Sequence, residues 1–471
     1  MKSSPRILAV SILANVEHSG AFAENELDKA LRSGKLGDVR DRRLLTEIVY
    51  GTLRMRGRLD WLIDSFYPPG AEALERDVRN ILRTGLYQLF FLDRVPEYAV
   101  VNEAVTIAKR IRSASAMLVN AVLRTAARSR RNIVYPDFNR DPAGYISIFH
   151  SHPRWLVDRW IGILGIPETA AFCKANNETP PLTVRVNTLK ISRREMESEL
   201  RKTGLSSRPT MFSPDGLKIH GNTDALGGTA CFQEGRIRIQ DEGSQLISHI
   251  VDPKPGESVL DLCAGTGGKT NHLAQLMKNE GHILACDISG ERIHALRGHA
   301  AAMGVTIVEA LVADASEDDI TDGDPFDRIL VDAPCSGSGT LRRNPEIRWR
   351  LSPERVRTLV RLQEEMLLRS EKFLKPGGTL VYATCSIMPE ENEEVVLAFL
   401  RKHPGYRIVP PPSSAVAGLL GPDGFFRSFP HRHGTDGFFA ARLVKKAETA
   451  TMPRQRFCRG GNDSWKSFFL H

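Results

Sequence analysis

The sequence predicts an α/β fold in which a doubly wound parallel sheet fills the C-terminal half, after an all-helical domain and a small α+β module. Three observations carry this reading. Short apolar strands alternate with helical stretches beyond residue 240. Two of those strands run into cysteines, as Asp332-Ala333-Pro334-Cys335 and Ala383-Thr384-Cys385-Ser386, and a glycine-rich turn, Ala264-Gly265-Thr266-Gly267-Gly268-Lys269, lies upstream in the same βα pattern. That combination places a cleft at the carboxyl edge of a parallel sheet, with a thiol on its rim. In the first 140 residues, by contrast, apolar side chains recur at three and four spacing, the helical period.

Taken in order, residues 1–140 read as helices through Leu44-Leu45-Ile48-Val49, Trp61-Leu62, Ile81-Leu82-Leu86-Leu89 and Val100-Val101-Val105. Pro68-Pro69-Gly70 and Val95-Pro96 punctuate them. The start imitates a signal peptide, with Lys2 and Arg6, an apolar run from Ile7 to Val16, and Ala21-Phe22-Ala23. Asn15, Glu17 and His18 interrupt that pattern, and Leu8, Ile12 and Val16 fall at amphipathic spacing, so the segment reads as a core helix. Residues 141–240 begin as a helical connector packed down by Trp155 and Trp160. They continue as an α+β module with strands at 182–186, 216–219 and 236–239 around a helix at 192–202.

From 241 to 446, strands at 258–262, 282–287, 306–312, 326–331 and 379–383 alternate with helices at 289–303, 352–374 and 390–402. Phe438-Phe439-Ala440-Ala441-Arg442-Leu443 reads as a late antiparallel strand. Residues 447–471 form a basic, polar tail, a composition that predicts little order.

Composition narrows the function classes. Seven cysteines in 471 residues, none in CxxC spacing, exclude a secreted disulfide framework and a zinc site, and predict a cytoplasmic protein with free thiols and no metal. No window offers the roughly 18 apolar residues needed to span a bilayer. The formal charge of +8 is uneven: residues 1–150 carry 23 Lys and Arg against 17 Asp and Glu. Between Ala104 and Pro136 there is no acid, yet Lys109, Arg110, Arg112, Arg124, Arg128, Arg130 and Arg131 all occur. A solvated helical face is the plain reading of such a run. The dominance of Arg over Lys predicts a phosphate-binding surface, hence a nucleic-acid partner.

Three cofactor classes compete for the glycine turn. A P-loop needs Gly five positions before Gly268-Lys269-Thr270, where Cys263 stands. A dinucleotide fingerprint needs a third small residue after Gly265 and Gly267, where Thr270 stands. A strand ending in Asp261, then Gly265 and Gly267, instead suits S-adenosyl-L-methionine, because glycines let the backbone approach the methionine end. Asp287, ending the next strand, is placed to accept both ribose hydroxyls, and Asp314, after the third, could face the adenine amine. A strand-end Asp is often only an N-cap or loop residue; three in order at successive strand ends point to a cofactor site.

A lone Cys at a strand end is most often a small buried hydrophobe. Cys335 and Cys385 differ from that case because Asp332, Pro334, Gly337 and Gly339 surround them. Asp332-Ala333-Pro334-Cys335-Ser336-Gly337 followed by Ala383-Thr384-Cys385-Ser386 is similar to the Sun-type RNA cytosine-5 methyltransferases. The resemblance extends over nearly the whole chain. Asp41-Arg42-Arg43 with Val49-Tyr50-Gly51-Thr52-Leu53-Arg54 resembles the NusB-like RNA-binding domain that begins the bacterial 16S ribosomal RNA member. Arg185-Val186-Asn187 and Gln240-Asp241-Glu242-Gly243-Ser244 resemble the segments before the catalytic domain, and Asp436-Gly437-Phe438-Phe439 resembles its closing strand.

The resemblance implies a NusB-like domain over 1–140, a connector and small RNA-binding module over 141–240, and a Rossmann-like class I methyltransferase domain over 241–446. It implies a monomer that methylates C5 of a cytosine-967-type site in 16S ribosomal RNA with S-adenosyl-L-methionine. Cytosine C5 is too electron-poor to attack a methylsulfonium unaided. A thiolate adding at C6 makes C5 nucleophilic, an acid near N3 stabilises the adduct, and a base must then remove the C5 proton so that the thiol can leave. By similarity Cys385 is the nucleophile, Cys335 serves in product release, and Asp332 is shared between substrate and cofactor. Cys263, Ala264, Gly265, Thr266, Gly267, Gly268, Lys269, Asp287, Arg292 and Asp314 line the cofactor pocket. The family usually has Cys-Ala-Ala-Pro-Gly-Gly-Lys, from which Gly265-Thr266 departs toward the generic methyltransferase turn.

Spacing alone does not say which cysteine attacks, since DNA cytosine methyltransferases carry their nucleophile in a Pro-Cys motif resembling Pro334-Cys335. Two other functions fit the same residues: the same chemistry on transfer RNA, and a non-catalytic scaffold like an antitermination factor. Intact Cys335, Cys385, Asp332 and Asp287 argue against the scaffold, and the N-terminal resemblance favours ribosomal RNA.

Overall fold

The computed structural model describes residues 4–221 and 223–447. Lys2 and the basic tail from position 448 lie outside the described residues. The first 130 residues form helices α1 (Pro5–Ser19), α2 (Ala23–Arg32), α3 (Val39–Arg54), α4 (Arg56–Phe66), α5 (Arg76–Phe91), α6 (Glu97–Ile111) and α7 (Ala116–Ser129). Local chemistry sets the first boundaries. Ser4 accepts a hydrogen bond from the Arg6 N–H, Pro5 opens the helix, and Gly20 closes it in the left-handed conformation. Ile12 and Val16 are buried as the amphipathic spacing predicts, which confirms a core helix where the sequence imitates a leader.

Helices α8 (Pro142–Phe149), α9 (Arg154–Leu164) and α10 (Ile166–Ala175) make the connector. Trp160 is fully buried in it, stacking edge-on against Phe172, whereas Trp155 is only partly buried. The module follows as β1 (Leu182–Val186), α11 (Arg193–Lys202), β2 (Ser206–Pro209), β3 (Gly216–His220), α12 (Ala230–Gln233) and β4 (Ile237–Ile239). Its antiparallel sheet has the order β2-β3-β1-β4. Strand β2, Ser-Ser-Arg-Pro, has no apolar alternation to announce it and exists as an edge through pairing with β3.

The C-terminal part runs α13 (Glu242–Val251), β5 (Ser258–Asp261), α14 (Gly268–Leu276), β6 (His282–Asp287), α15 (Gly290–Met303), β7 (Val308–Val312), β8 (Phe326–Asp332), α16 (Pro353–Ser370), β9 (Leu374–Thr384), α17 (Glu393–Lys402), β10 (Tyr406–Ile408), β11 (Phe426–Ser428), α18 (Pro430–His433) and β12 (Phe438–Lys445). Its sheet has the order β10-β12-β9-β8-β5-β6-β7, with β11 on β12. Pairs among β5 to β9 are parallel, and β12 is antiparallel to β9. The strand order reverses between β5 and β8, so the crevice forms at their carboxyl ends. One boundary needs correction. The helix predicted to Leu374 ends at Ser370, and β9 begins at Leu374 instead of Thr379, because Leu374 pairs with Phe326 across a register shift.

The helical domain is stitched to the sheet domain by the segment after β8. Arg348, fully buried, donates to the carbonyls of Arg54, Ser151, Asn176 and Leu341, and Trp349 Nε1 donates to the Leu53 carbonyl at 3.1 Å. The module is pinned from the other side: Asp215, before β3, accepts from His249 on α13 and His272 on α14, both at 2.9 Å. Burial pushes His272 down to about 3, and the two rings clamp one carboxylate between them.

Of the seven cations in the acid-free run, Arg112 pairs with Glu75 and Arg130 with Asp93. Distant segments thus supply acids that the run itself lacks. Arg124, Arg128 and Arg131 are exposed and pair with no acid among the described residues.

Candidate active site

Strand β5 delivers Asp261 into the core and the glycine turn to the crevice. Asp261 is fully buried, accepting from Thr270 Oγ1 at 2.7 Å, and burial pushes its carboxyl up to about 7, with the nearby Asp332 charge adding to the rise. Gly265 has φ +56°, and nothing lies within 4 Å of where a Cβ would project, so the turn is both left-handed and open to a ligand. The departure from Ala-Pro therefore has a conformational reason: glycine takes this φ without strain. Gly267, at φ +84°, begins α14, and a Cβ there would meet Leu296 Cγ at 2.8 Å. Glycine is favoured by φ alone at 265, and by φ and crowding together at 267.

Asp287 closes β6 beneath this turn. Its Oδ2 accepts from the Gly265 N–H at 3.0 Å, its Oδ1 from the Ser289 N–H at 2.8 Å, and Arg292 Nη1 stands 3.6 Å from Oδ2. The carboxylate is buried and shapes the turn. Asp314 sits after β7 at the same sheet edge but bends onto its own loop. It accepts from Ser316 N at 2.8 Å and Ser316 Oγ at 2.6 Å, bonds that hold its carboxyl below the usual range.

The parallel register of β8 and β9 brings the two cysteine segments together. Asp332 aligns with Ala383, the Ala333 N–H donates to the Ala383 carbonyl, and the Gly339 N–H donates to the Cys385 carbonyl at 2.9 Å. Cys335 Sγ lies 3.2 Å from Cys385 Sγ. That thiol–thiol hydrogen bond, with burial, pushes Cys335 well above the ordinary thiol range and keeps it protonated. Lys269, from the start of α14, donates to Asp332 Oδ2 at 2.6 Å and rests 5.5 Å from the Phe438 ring centroid. Burial lowers its pKa, but the Asp332 charge and hydrogen bond outweigh it and hold the ammonium charged, where it also attracts a thiolate at Cys385. Lys269, Asp332, Cys335, Cys385 and Phe438 line one cavity of about 400 Å³.

Sequence reasoning missed Glu391. Fully buried, it accepts from Ser336 N at 2.7 Å, Ser336 Oγ and Ser386 Oγ at 2.5 Å each, and Gln363 Nε2 at 3.1 Å. Each serine directly follows one of the cysteines, so one carboxylate fixes both thiol loops. The signal available was Pro389-Glu390-Glu391-Asn392, an acidic turn soon after Cys385. It reads as an ordinary helix start until the contacts from residues 336 and 363 are known. Behind it, Arg342 and Arg343 both donate to Asp436, and Arg343 reaches Asp241, which ties the closing turn before β12 to the start of α13. Gly339 packs so closely that a Cβ would lie 2.0 Å from the Gly437 carbonyl oxygen.

Three regions match known families: residues 3–128 the NusB family, 152–225 the ferredoxin-like domain of RsmF/B-like methyltransferases, and 248–444 the 16S rRNA methyltransferase RsmB/F. The chain is 36% identical to the probable ribosomal RNA small subunit methyltransferase B of Bacillus subtilis, covering 94% of this chain and 99% of that one. It is 35% identical, with the same coverage, to the ribosomal RNA small subunit methyltransferase B of Pseudomonas putida. A crystal structure of PH0851 superposes with a TM-score of 0.80 at 33% identity, covering 94% of this chain and all of that one. A methyltransferase homolog protein from Pyrococcus horikoshii gives 0.57 at 31% identity, covering 64% and 97%.

Proposed function

Because the chain belongs to the 16S rRNA methyltransferase RsmB/F family, we propose that it methylates cytosine C5 in 16S ribosomal RNA through a covalent cysteine–C6 adduct. The observation that supports this most is the thiol pair, 3.2 Å apart, beside the Lys269–Asp332 ion pair in one cavity. The residues fit S-adenosyl-L-methionine: Cys263 to Lys269 form the open turn, Asp287 and Arg292 close its base, and Asp314 stands at the far end. Bound there, the cofactor supplies the methyl group. Cys385 adds to C6, assisted by the Lys269 ammonium, while Asp332 holds that ammonium and faces the ring. Cys335 loses its thiol–thiol hydrogen bond once Cys385 is engaged, releases its own proton to solvent, and as a thiolate accepts the C5 proton while the C6–Sγ bond breaks and Cys385 leaves. In this reading the protein acts as a cytoplasmic monomer and uses no metal; no helix among the described residues is long and apolar enough to cross a membrane.

Bisulfite mapping of ribosomal and transfer RNA from a deletion strain tests the substrate. One 16S cytosine should lose its protection and regain it when the gene is restored. Loss confined to transfer RNA would move the same chemistry to the other substrate, and no loss anywhere would leave the scaffold reading standing.

Two further outcomes follow. Asp287→Ala should weaken S-adenosyl-L-methionine binding by roughly 1.5–3 kcal/mol, the scale of a lost charged hydrogen bond, with calorimetric affinity equal to wild type excluding the assignment. RNA affinity should fall steeply with salt, because exposed arginines in the acid-free run displace counterions. Replacing Arg124, Arg128, Arg130 and Arg131 together with Gln should flatten that slope and leave cofactor binding intact. An unchanged slope would reduce the run to a solvated face.

A further inference from the structure

The wall of the active-site cavity is not built by the sheet domain alone. Phe22, from the helical domain, lines the same cavity as Cys335 and Cys385, and its side chain remains 44% exposed. A single exposed aromatic is ordinary on a surface; what sets this one apart is its place in the cavity that holds the two thiols.

Its backbone is held with unusual thoroughness. Arg350 donates to the carbonyls of Gly20 at 2.7 Å, Ala21 at 2.6 Å and Val16 at 3.0 Å. The buried Glu346 carboxylate accepts from the Ala23 N–H at 2.9 Å, capping α2, whose N-cap residue is Phe22. Both flanks of Phe22 are thus pinned by the segment that descends from Cys335. The Arg350 guanidinium also lies 5.7 Å from the Phe22 ring centroid and so supports the ring. All three of its hydrogen-bond acceptors are neutral carbonyls, so its charge is not cancelled by a bonded carboxylate.

We infer that Phe22 is a base-stacking residue: the helical domain presents its ring, backed by Arg350, to a nucleobase of the RNA strand that carries the target cytosine. The inference rests on the RNA methylation proposed above. Single-stranded and splayed-out bases are gripped by aromatic faces, with an arginine plane or charge behind them. A ring pinned at backbone level loses little entropy when a base stacks on it. The segment Ala21-Phe22-Ala23, which in the sequence imitates a leader cleavage site, becomes part of the substrate pocket. The helical domain then acts inside the catalytic cavity, beyond recruiting RNA through its basic surface.

The test compares Phe22→Ala, Phe22→Leu and Phe22→Tyr in the full-length protein on transcribed 16S ribosomal RNA. Stacking predicts a fall in kcat/KM of about 10- to 100-fold for Phe22→Ala and Phe22→Leu, the range of one lost base–aromatic contact. Phe22→Tyr should stay within about threefold of wild type. Cofactor affinity and unfolding midpoint should not change in any variant. Phe22→Leu matching wild type would reduce the residue to bulk and overturn the proposal, as would losses that track stability or cofactor affinity. A wild-type protein that methylates no RNA would sink the reading of the previous subsection instead. Stacking would then be decided by photocrosslinking 5-iodouridine-substituted RNA, where a crosslink at the Phe22 peptide supports it and its absence refutes it.

Discussion

Cys385→Ala should abolish both methylation and covalent capture of RNA, whereas Cys335→Ala should accumulate a protein–RNA adduct that survives denaturing electrophoresis. Without a thiolate at C6 the cytosine C5 is not a nucleophile, so losing Cys385 removes the first bond on which everything else depends. A fall on the order of 10³-fold or more is the scale seen when an enzyme loses its nucleophile. Cys335→Ala leaves the attacking thiol and the Lys269–Asp332 pair in place, so the adduct still forms. What it loses is the group that helps take the C5 proton, and with the proton in place the ring cannot expel Cys385. It also removes the 3.2 Å thiol–thiol hydrogen bond, which leaves Cys385 freer to react. The adduct appearing in Cys385→Ala and vanishing in Cys335→Ala would exchange the two roles. Two active variants and no adduct in any form would end the thiol mechanism.

The pairing of these cysteines was legible because strand ends are legible. Two apolar runs with helical crossovers between them predict parallel neighbours, and parallel neighbours put their next residues side by side. The register of Asp332 with Ala383 delivers that result. The cofactor turn was legible for a similar reason, since Gly265 and Gly267 mark positive φ whatever surrounds them. Asp314 shows the limit: its carboxylate is engaged by Ser316, two residues on, through hydrogen bonds that a strand-end pattern does not reveal. Three other arginines were not singled out by their sequence pattern. Arg348 and Arg350 rivet the helical domain to the sheet domain, while Arg342 holds the turn before β12. Their partners are backbone carbonyls and a buried Asp436, and carbonyl acceptors leave no trace in a residue pattern. Short edge strands such as β2 and β10 escaped because pairing, not side-chain alternation, makes them strands.

Glu391 yields the second large effect, and it separates positioning from chemistry. Its carboxylate collects four hydrogen bonds in a site with no exposure, three of them from the serines that follow Cys335 and Cys385. Glu391→Ala strands those donors in a dry pocket and opens a cavity, which should cost about 3–5 kcal/mol of stability and loosen both thiol loops. Activity should fall further than stability alone accounts for, because a displacement of about 1 Å at a reacting atom can cost on the order of 10²-fold. Glu391→Gln is the informative partner. Its amide oxygen can keep the bonds from the Ser336 N–H and Gln363. Its NH₂ then meets Ser336 Oγ and Ser386 Oγ, whose hydroxyls must rotate from donating to accepting. Structure should therefore largely survive in Glu391→Gln, with cofactor affinity near wild type in both variants, since the glycine turn lies on β5 and not on these loops. Denaturant unfolding, cofactor calorimetry and single-turnover methylation measure the three effects separately. If Glu391→Ala keeps wild-type turnover in the folded fraction, the carboxylate supports only the fold. If Glu391→Gln is as inactive as Glu391→Ala while fully stable, the negative charge itself acts on the thiols and the loop-positioning account is wrong.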